Sequence, residues 1–256
     1  MFKHGQMDEA TYALKIFNLH RKATFPDCLP TDFSALELGP GDSLANALIA
    51  KAHGAKTVYL CDVGHYATTD IKKYQKLATE LQKAGLKNIP NLKNISNVSE
   101  MLKLCNAHYL TDGLKGLCSI ADNTIDFIWS HSVLEHIRKK DFSNTMQELH
   151  RILKNTGSAS HNVDLMDHLE KSLNNLRFPE HIWENDIFAD SGFYTNRLRC
   201  TESLDLMKQA GFEVLKHEKG RWEDIPIPRP KLHSDFKHLS DEELRIRTYN
   251  VLLKTA

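Results

Sequence analysis

What this sequence lacks narrows it quickly. Its five cysteines, Cys28, Cys61, Cys105, Cys118 and Cys200, are an odd number with no closely spaced pair. That excludes a disulfide framework and a zinc spacing, and it fits reduced thiols in a cytoplasmic protein. Neither charge is in excess, with 33 Lys and Arg against 33 Asp and Glu. A broad basic footprint for nucleic acid is therefore not expected. No apolar run is long enough to cross a bilayer, and the opening MFKHGQMDEATYALKIF has no long apolar core of the secretory kind. Internal repeats are absent as well. These absences set nucleic acid and a membrane aside as expected partners; oligomeric state is not legible.

What is present is an alternation of short apolar runs and amphipathic stretches. After a helical segment within residues 1–32, SALELG reads as the first strand. A helix follows, with Asp42 or Ser43 as its cap and Gly54 as its stop. TVYLCDV, AHYLTD and TIDFIWS read as three further strands, with helices TTDIKKYQKLATELQKAG and VSEMLKLCN before AHYLTD. A helix from Asp141, apolar at Phe142, Met146, Leu149 and Leu153, is expected to run to a stop at Gly157. SASHNV is then the fifth strand, unusually polar for an internal position and so expected to be short or distorted. Helix ESLDLMKQAG and strands FEVLKHE and RTYNVLLKT close the chain.

Strands alternating with helices of this length predict an α/β fold. The expectation is a Rossmann-like, doubly wound sheet of seven mostly parallel strands with helices on both faces, the last strand a candidate for antiparallel pairing. It is read as one domain over 1–256. Residues 1–32 form a helical cap, 33–163 a ligand-binding core, and 164–200 an inserted lid. Residues 201–256 complete the sheet around an insertion at about 222–246.

Ligands bind such sheets beyond the carboxyl ends of the strands. The turn there, Gly39-Pro40-Gly41-Asp42-Ser43, has two of the three glycines of a dinucleotide fingerprint. Asp42 would set a negative charge near a pyrophosphate, and Glu37 stands where dinucleotide enzymes carry an apolar residue. A nicotinamide oxidoreductase is disfavoured on these grounds. A cationic ligand without phosphate suits the turn, and S-adenosylmethionine is one. Asp62, 23 residues after Gly39 at the end of the second strand, is placed to accept bonds from both ribose hydroxyls.

With LELGPG, YLCDV, YLTDG, DNTIDFIWSHSVLEHI, ELHRILKNTG and LMKQAGFEV in this order, the chain resembles class I S-adenosylmethionine-dependent methyltransferases of the small-molecule type. The resemblance runs from about residue 34 to 215. It implies that Glu37, Gly39 and Gly41, with Pro40 between the glycines, surround the methionine part of the cofactor. It assigns Asp62 to the ribose, Val63 and Asp112 with Gly113 to the adenine, and Ser130 and His131 to the mouth where cofactor meets acceptor. S-adenosylhomocysteine would be the product.

The acceptor side is read from residue chemistry. An oxygen acceptor must lose a proton, and His131, His161 and Asp164 are the candidate bases. Glu135 and His136 are read as shaping the chain after the fourth strand. SHNVDLMDH mixes His161, Asp164, Asp167 and His168 without a metal fingerprint, so no metal is assigned. Arg197 and Arg199, alternate residues of YTNRLR, would point the same way in an extended segment and share an acidic acceptor. The expected activity is methyl transfer to oxygen of a small polar metabolite or sugar unit. The alternative is a degenerate domain that binds S-adenosylmethionine or a partner without turnover.

Overall fold

The computed structural model describes residues 7–256; the first six residues of the expected N-terminal cap lie outside the described residues. Seven strands form one sheet: β1 (Ser34–Leu38), β2 (Thr57–Cys61), β3 (Ala107–Leu110), β4 (Ile125–His131), β5 (Leu153–Asp164), β6 (Phe212–Arg221) and β7 (Ile246–Thr255). Their order is β3-β2-β1-β4-β5-β7-β6. β1 pairs parallel with β2 and with β4, and β2 pairs parallel with β3. Trp222 N–H donates to Arg245 O and Ala256 N–H to Gly211 O, so β7 runs antiparallel to β6.

Before β1 stands α1 (Ala10–Thr24), and between the strands come α2 (Ala45–Ala52), α3 (Ile71–Lys83) and α4 (Val98–Cys105). α5 (Leu114–Cys118), α6 (Lys139–Ile152), α7 (Glu180–Trp183), α8 (Asp186–Ala189), α9 (Cys200–Gln209) and α10 (Asp241–Leu244) follow.

By its contacts the chain divides into two compact units. One takes in the chain as far as Ser130 together with Arg151–Ser160; the other takes in His131–His150 and His161–Lys254. In the first unit, α1 lays Ala10, Ala13 and Phe17 into the core. Phe17 meets the edges of Phe127 and Trp129 from β4, with ring centroids 6.1 and 5.5 Å away. Burying one such ring contributes roughly 2–3 kcal/mol. His20 of the same helix shares a buried 2.9 Å bond with Ser160 Oγ of β5.

In the second unit, the segments on either side of α9 and β6 build a core of their own. Leu173 and Leu176 pack with Ile227, Leu232, Phe236 and Leu244. The two stretches expected as separate insertions are therefore halves of one packed element.

Two expectations are corrected. Neither Asp42 nor Ser43 caps α2: its cap position is Leu44, with no side-chain cap bond. The Leu44 N–H instead donates to Tyr74 Oη, which donates in turn to Thr68 O. Nor is β5 short. α6 stops at Ile152 and β5 begins at Leu153, making it 12 residues long. Its polar residues are accommodated because Ser160 finds His20, while Gly157, Ala159 and Val163 supply the buried apolar positions.

Candidate functional site

The first unit gathers most of the sequence-read residues at the carboxyl ends of β1 and β2. After Leu38 the chain turns through Gly39 (φ 71°) and Gly41 (φ 66°), a left-handed backbone that favours glycine. Gly39 N–H bonds Cys61 O at 2.8 Å, tying the turn to β2. A Cβ built on Gly41 would meet no atom within 4 Å, so the turn borders open space. Asp62 lies across this turn. Its Oδ2 accepts from Gly41 N–H at 3.1 Å and its Oδ1 from Val63 N–H at 2.7 Å. Each carboxylate oxygen keeps lone pairs beyond these bonds, as a ribose diol requires. Burial pushes the Asp62 carboxyl upward, and the two backbone bonds pull it partly back.

Glu37 stands under the same turn on β1, 4% exposed. Its Oε1 accepts from Asn46 Nδ2 of α2 at 2.5 Å. Burial pushes its carboxyl up to about 8, offset in part by Asn46 and Trp129 and reinforced by the charge of Asp62. A carboxyl raised this far favours its neutral form around neutral pH. Asn46 was not singled out from sequence; the cue was its position at the start of the helix after the glycines. Pro40 is buried between the two glycines, and Ser130 is fully buried near the end of β4.

On the far side of Asp62, Val63 is 72% exposed and Tyr66 is 62% exposed. Water-facing apolar groups beside a polar anchor suit a planar heterocycle. The Tyr109 hydroxyl holds this loop: it donates to Gly64 O at 3.0 Å and accepts from Tyr66 N–H at 3.2 Å. Neither Tyr66 nor Tyr109 was singled out from sequence; GHYATTD after the acid and YLTDG at the end of the third strand were the available signals. Gly113 N–H bonds Asp62 O at 2.8 Å, and its φ of 53° with ψ −123° heads α5. Asp112 is exposed beside it, its carbonyl accepting from Lys115 N–H. The acid pair, the open glycine turn and the exposed apolar shelf fit S-adenosylmethionine.

The second unit holds the remaining candidates. His131 is the last residue of β4 and half-buried. Asp164 ends β5, also half-buried, with Oδ1 accepting from Met166 N–H at 2.9 Å. Burial raises its carboxyl, while Met166 and the charges of His168, Lys171 and Arg247 oppose the rise. Glu135, 2% exposed, accepts from Asp164 N–H at 3.2 Å and is held well above the usual carboxylate range by burial. His161 is fully buried within β5, and burial drives its imidazole down to about 3.

Asp167 does not join these groups. Its carboxylate accepts from the N–H groups of Leu169, Glu170, Ser172 and Asn174, and so folds the loop around itself. Among the described residues no group of three or more His, Cys, Asp or Glu is arranged to hold a metal ion.

The paired-arginine geometry is corrected. Arg197 has φ 61°, so the segment is not extended and the alternation does not hold. Arg197 bonds Phe178 O and Glu180, and its guanidinium lies over the Trp183 and Phe236 rings at 5.5 and 5.1 Å. Arg199 donates to the carbonyls of Leu165, Glu243 and Ile246. Among the described residues the two share no partner, and both are buried. Burial lowers Arg199 to about 10, which leaves it charged.

Compared with known proteins, residues 36–160 match the family model of a methyltransferase domain. No curated protein sequence matches the chain. Among solved structures the chain resembles an S-adenosylmethionine-dependent methyltransferase from Methanosarcina mazei, 16% identical with a TM-score of 0.52 over 94% of this chain and 96% of that one. It also resembles the [4+2]-cyclase SpnF, 13% identical with a TM-score of 0.52 over 96% of this chain and 81% of that one. Phosphoethanolamine N-methyltransferase 2 from Haemonchus contortus, solved with S-adenosyl-L-methionine, is 14% identical with a TM-score of 0.50, over 94% of this chain and 52% of that one. At these identities the structures share a fold; what each acts on belongs to that protein.

Proposed function

Because the chain belongs to the class I S-adenosylmethionine-dependent methyltransferases, with that molecule as cofactor, we propose that it methylates an oxygen of a small polar metabolite or sugar unit. Bound S-adenosylmethionine supplies an electrophilic methyl group on a sulfonium. Asp62 holds the ribose hydroxyls, the Gly39–Gly41 turn lets the backbone approach the amino-acid part, and Val63 borders the adenine. Glu37 ionises as the cationic groups of the cofactor replace its lost hydration.

One observation carries the oxygen assignment. Asp164 is a strand-end carboxyl whose basicity is raised by burial, and its own backbone N–H donates to Glu135 Oε1. A hydroxyl must lose its proton as the new carbon–oxygen bond forms, and a carboxylate made more basic takes it better. Asp164 is therefore preferred to His161, whose buried imidazole is a weak base. His131, at the end of β4, is the second candidate.

The test measures S-adenosylhomocysteine release with a panel of nucleotide sugars and small hydroxylated acids. With a matched acceptor, Asp164→Asn should cut turnover by about 10²–10⁴-fold and leave S-adenosylhomocysteine affinity unchanged. Wild-type turnover should rise with pH through the raised Asp164 ionisation and then level. Loss of turnover in His131→Ala alone would transfer the role of base to His131. Binding without release across the panel would favour a non-catalytic binding protein.

A further inference from the structure

β6 is the outermost strand of the sheet, and among the described residues no strand lies beyond it. Long edge strands are usually covered, bulged or shortened, because their unpaired N–H and C=O groups recruit other chains. In β6, Leu215, Lys216, His217 and Glu218 are exposed in succession. Side chains alternate between faces along a strand, so four exposed neighbours leave neither face of mid-β6 covered. Leu215 is an apolar member of this run, 45% exposed.

The order of charges on β6 matches its own reverse. When β6 is laid antiparallel against a second β6 with His217 on the two-fold axis, Lys216 faces Glu218 and Glu213 faces Arg221, each twice. Leu215 then lies beneath the apolar stem of Lys219. Lys216 and Glu218 already share a face, with Nζ and Oε1 2.6 Å apart. Opposite charges directly across a ladder stabilise it, and like charges disrupt it. An edge lysine usually deters pairing because an incoming strand offers it no counter-charge. In this register the incoming strand offers one.

We propose that β6 is a self-recognition edge, through which two copies of this chain pair antiparallel about His217 and continue the sheet across a two-fold axis. A single strand pair buries less than a standard interface, so the dimer is weak and concentration-dependent. Its charges are exposed, so added salt loosens it.

The experiment is sedimentation velocity over a concentration series at low and at high salt, with circular dichroism to confirm folding. Wild type should dimerise reversibly and less well at high salt. Lys216→Glu sets like charges face to face on both sides of the axis and should raise the dissociation constant about tenfold or more, with the spectrum unchanged. Lys216→Glu combined with Glu218→Lys restores both opposite pairs and should return the constant to within about threefold of wild type. A wild type that stays monomeric at all concentrations would overturn the proposal. So would a dimer indifferent to Lys216→Glu, or a double exchange that fails to rescue.

Discussion

At the scale of single residues, the two carboxyls of the glycine turn have separable duties. Asp62 already binds two backbone N–H groups and keeps lone pairs for the ribose proposed there. Asp62→Ala should weaken S-adenosylhomocysteine binding by about 1.5–3 kcal/mol, because the bonds lost are charge-assisted. Calorimetry showing equal affinity for both proteins would remove Asp62 from the ribose. Glu37 makes a different forecast. Its folded carboxyl sits at about 8, above the usual range near 4.5. The folded state therefore binds a proton there that the unfolded state has released between those two values. This contribution to stability is complete below the unfolded value and is lost as pH rises through the folded one. Glu37→Gln should flatten the decline of the cofactor-free melting temperature between about pH 5 and 8. Glu135, also raised by burial, will leave a residual slope. Identical slopes in wild type and Glu37→Gln would mean that Glu37 is charged in the folded protein.

At the scale of elements, the loops after the strands carry the residues proposed to hold the cofactor. Gly113 begins α5 at φ 53°, and an added Cβ would stand 3.1 Å from Val63 Cγ1. Gly113→Ala should cost about 1–3 kcal/mol of stability from backbone strain. It should also weaken S-adenosylhomocysteine binding, since Val63 must shift; thermal melting and calorimetry check the two halves separately. Elements also show how far the sequence could be read. The β-α-β rhythm through Asp62 was legible because strand apolarity, the paired glycines and the acid at the strand end are all local signals. The sheet order and the antiparallel β7 accord with that reading. The α2 cap was misplaced because the group satisfying Leu44 N–H comes from Tyr74, 30 residues away. β5 was underestimated because the partner of Ser160 is His20, 140 residues off in α1. Arg197 and Arg199 read as a ligand clamp because nothing local announces a left-handed residue or the carbonyls that receive their guanidinium groups.

At the scale of the whole molecule, the division into two units runs between the residues proposed for the cofactor and those read from sequence for the acceptor. Every residue assigned to the cofactor, from Glu37 to Ser130, belongs to the first unit, whereas His131, His161, Asp164, Arg197 and Arg199 belong to the second. The second unit has its own apolar core, centred on Leu173, Leu176, Ile227, Leu232, Phe236 and Leu244. Phe236 is the ring on which Arg197 rests, at 5.1 Å, so it joins the stretch before α9 to the one after β6. Phe236→Ala should remove about 3–5 kcal/mol by opening a cavity, plus about 0.5–2 kcal/mol of cation–π attraction. If the units carry separate duties, that loss falls on the melting temperature and on acceptor turnover. S-adenosylhomocysteine affinity should stay within about twofold at a temperature where the variant is folded. Calorimetry at 15–20 °C beside a melting curve makes the comparison. A drop in cofactor affinity as large as the drop in stability would mean that the core around Phe236 supports the cofactor turn as well, and the division of labour by unit would fail.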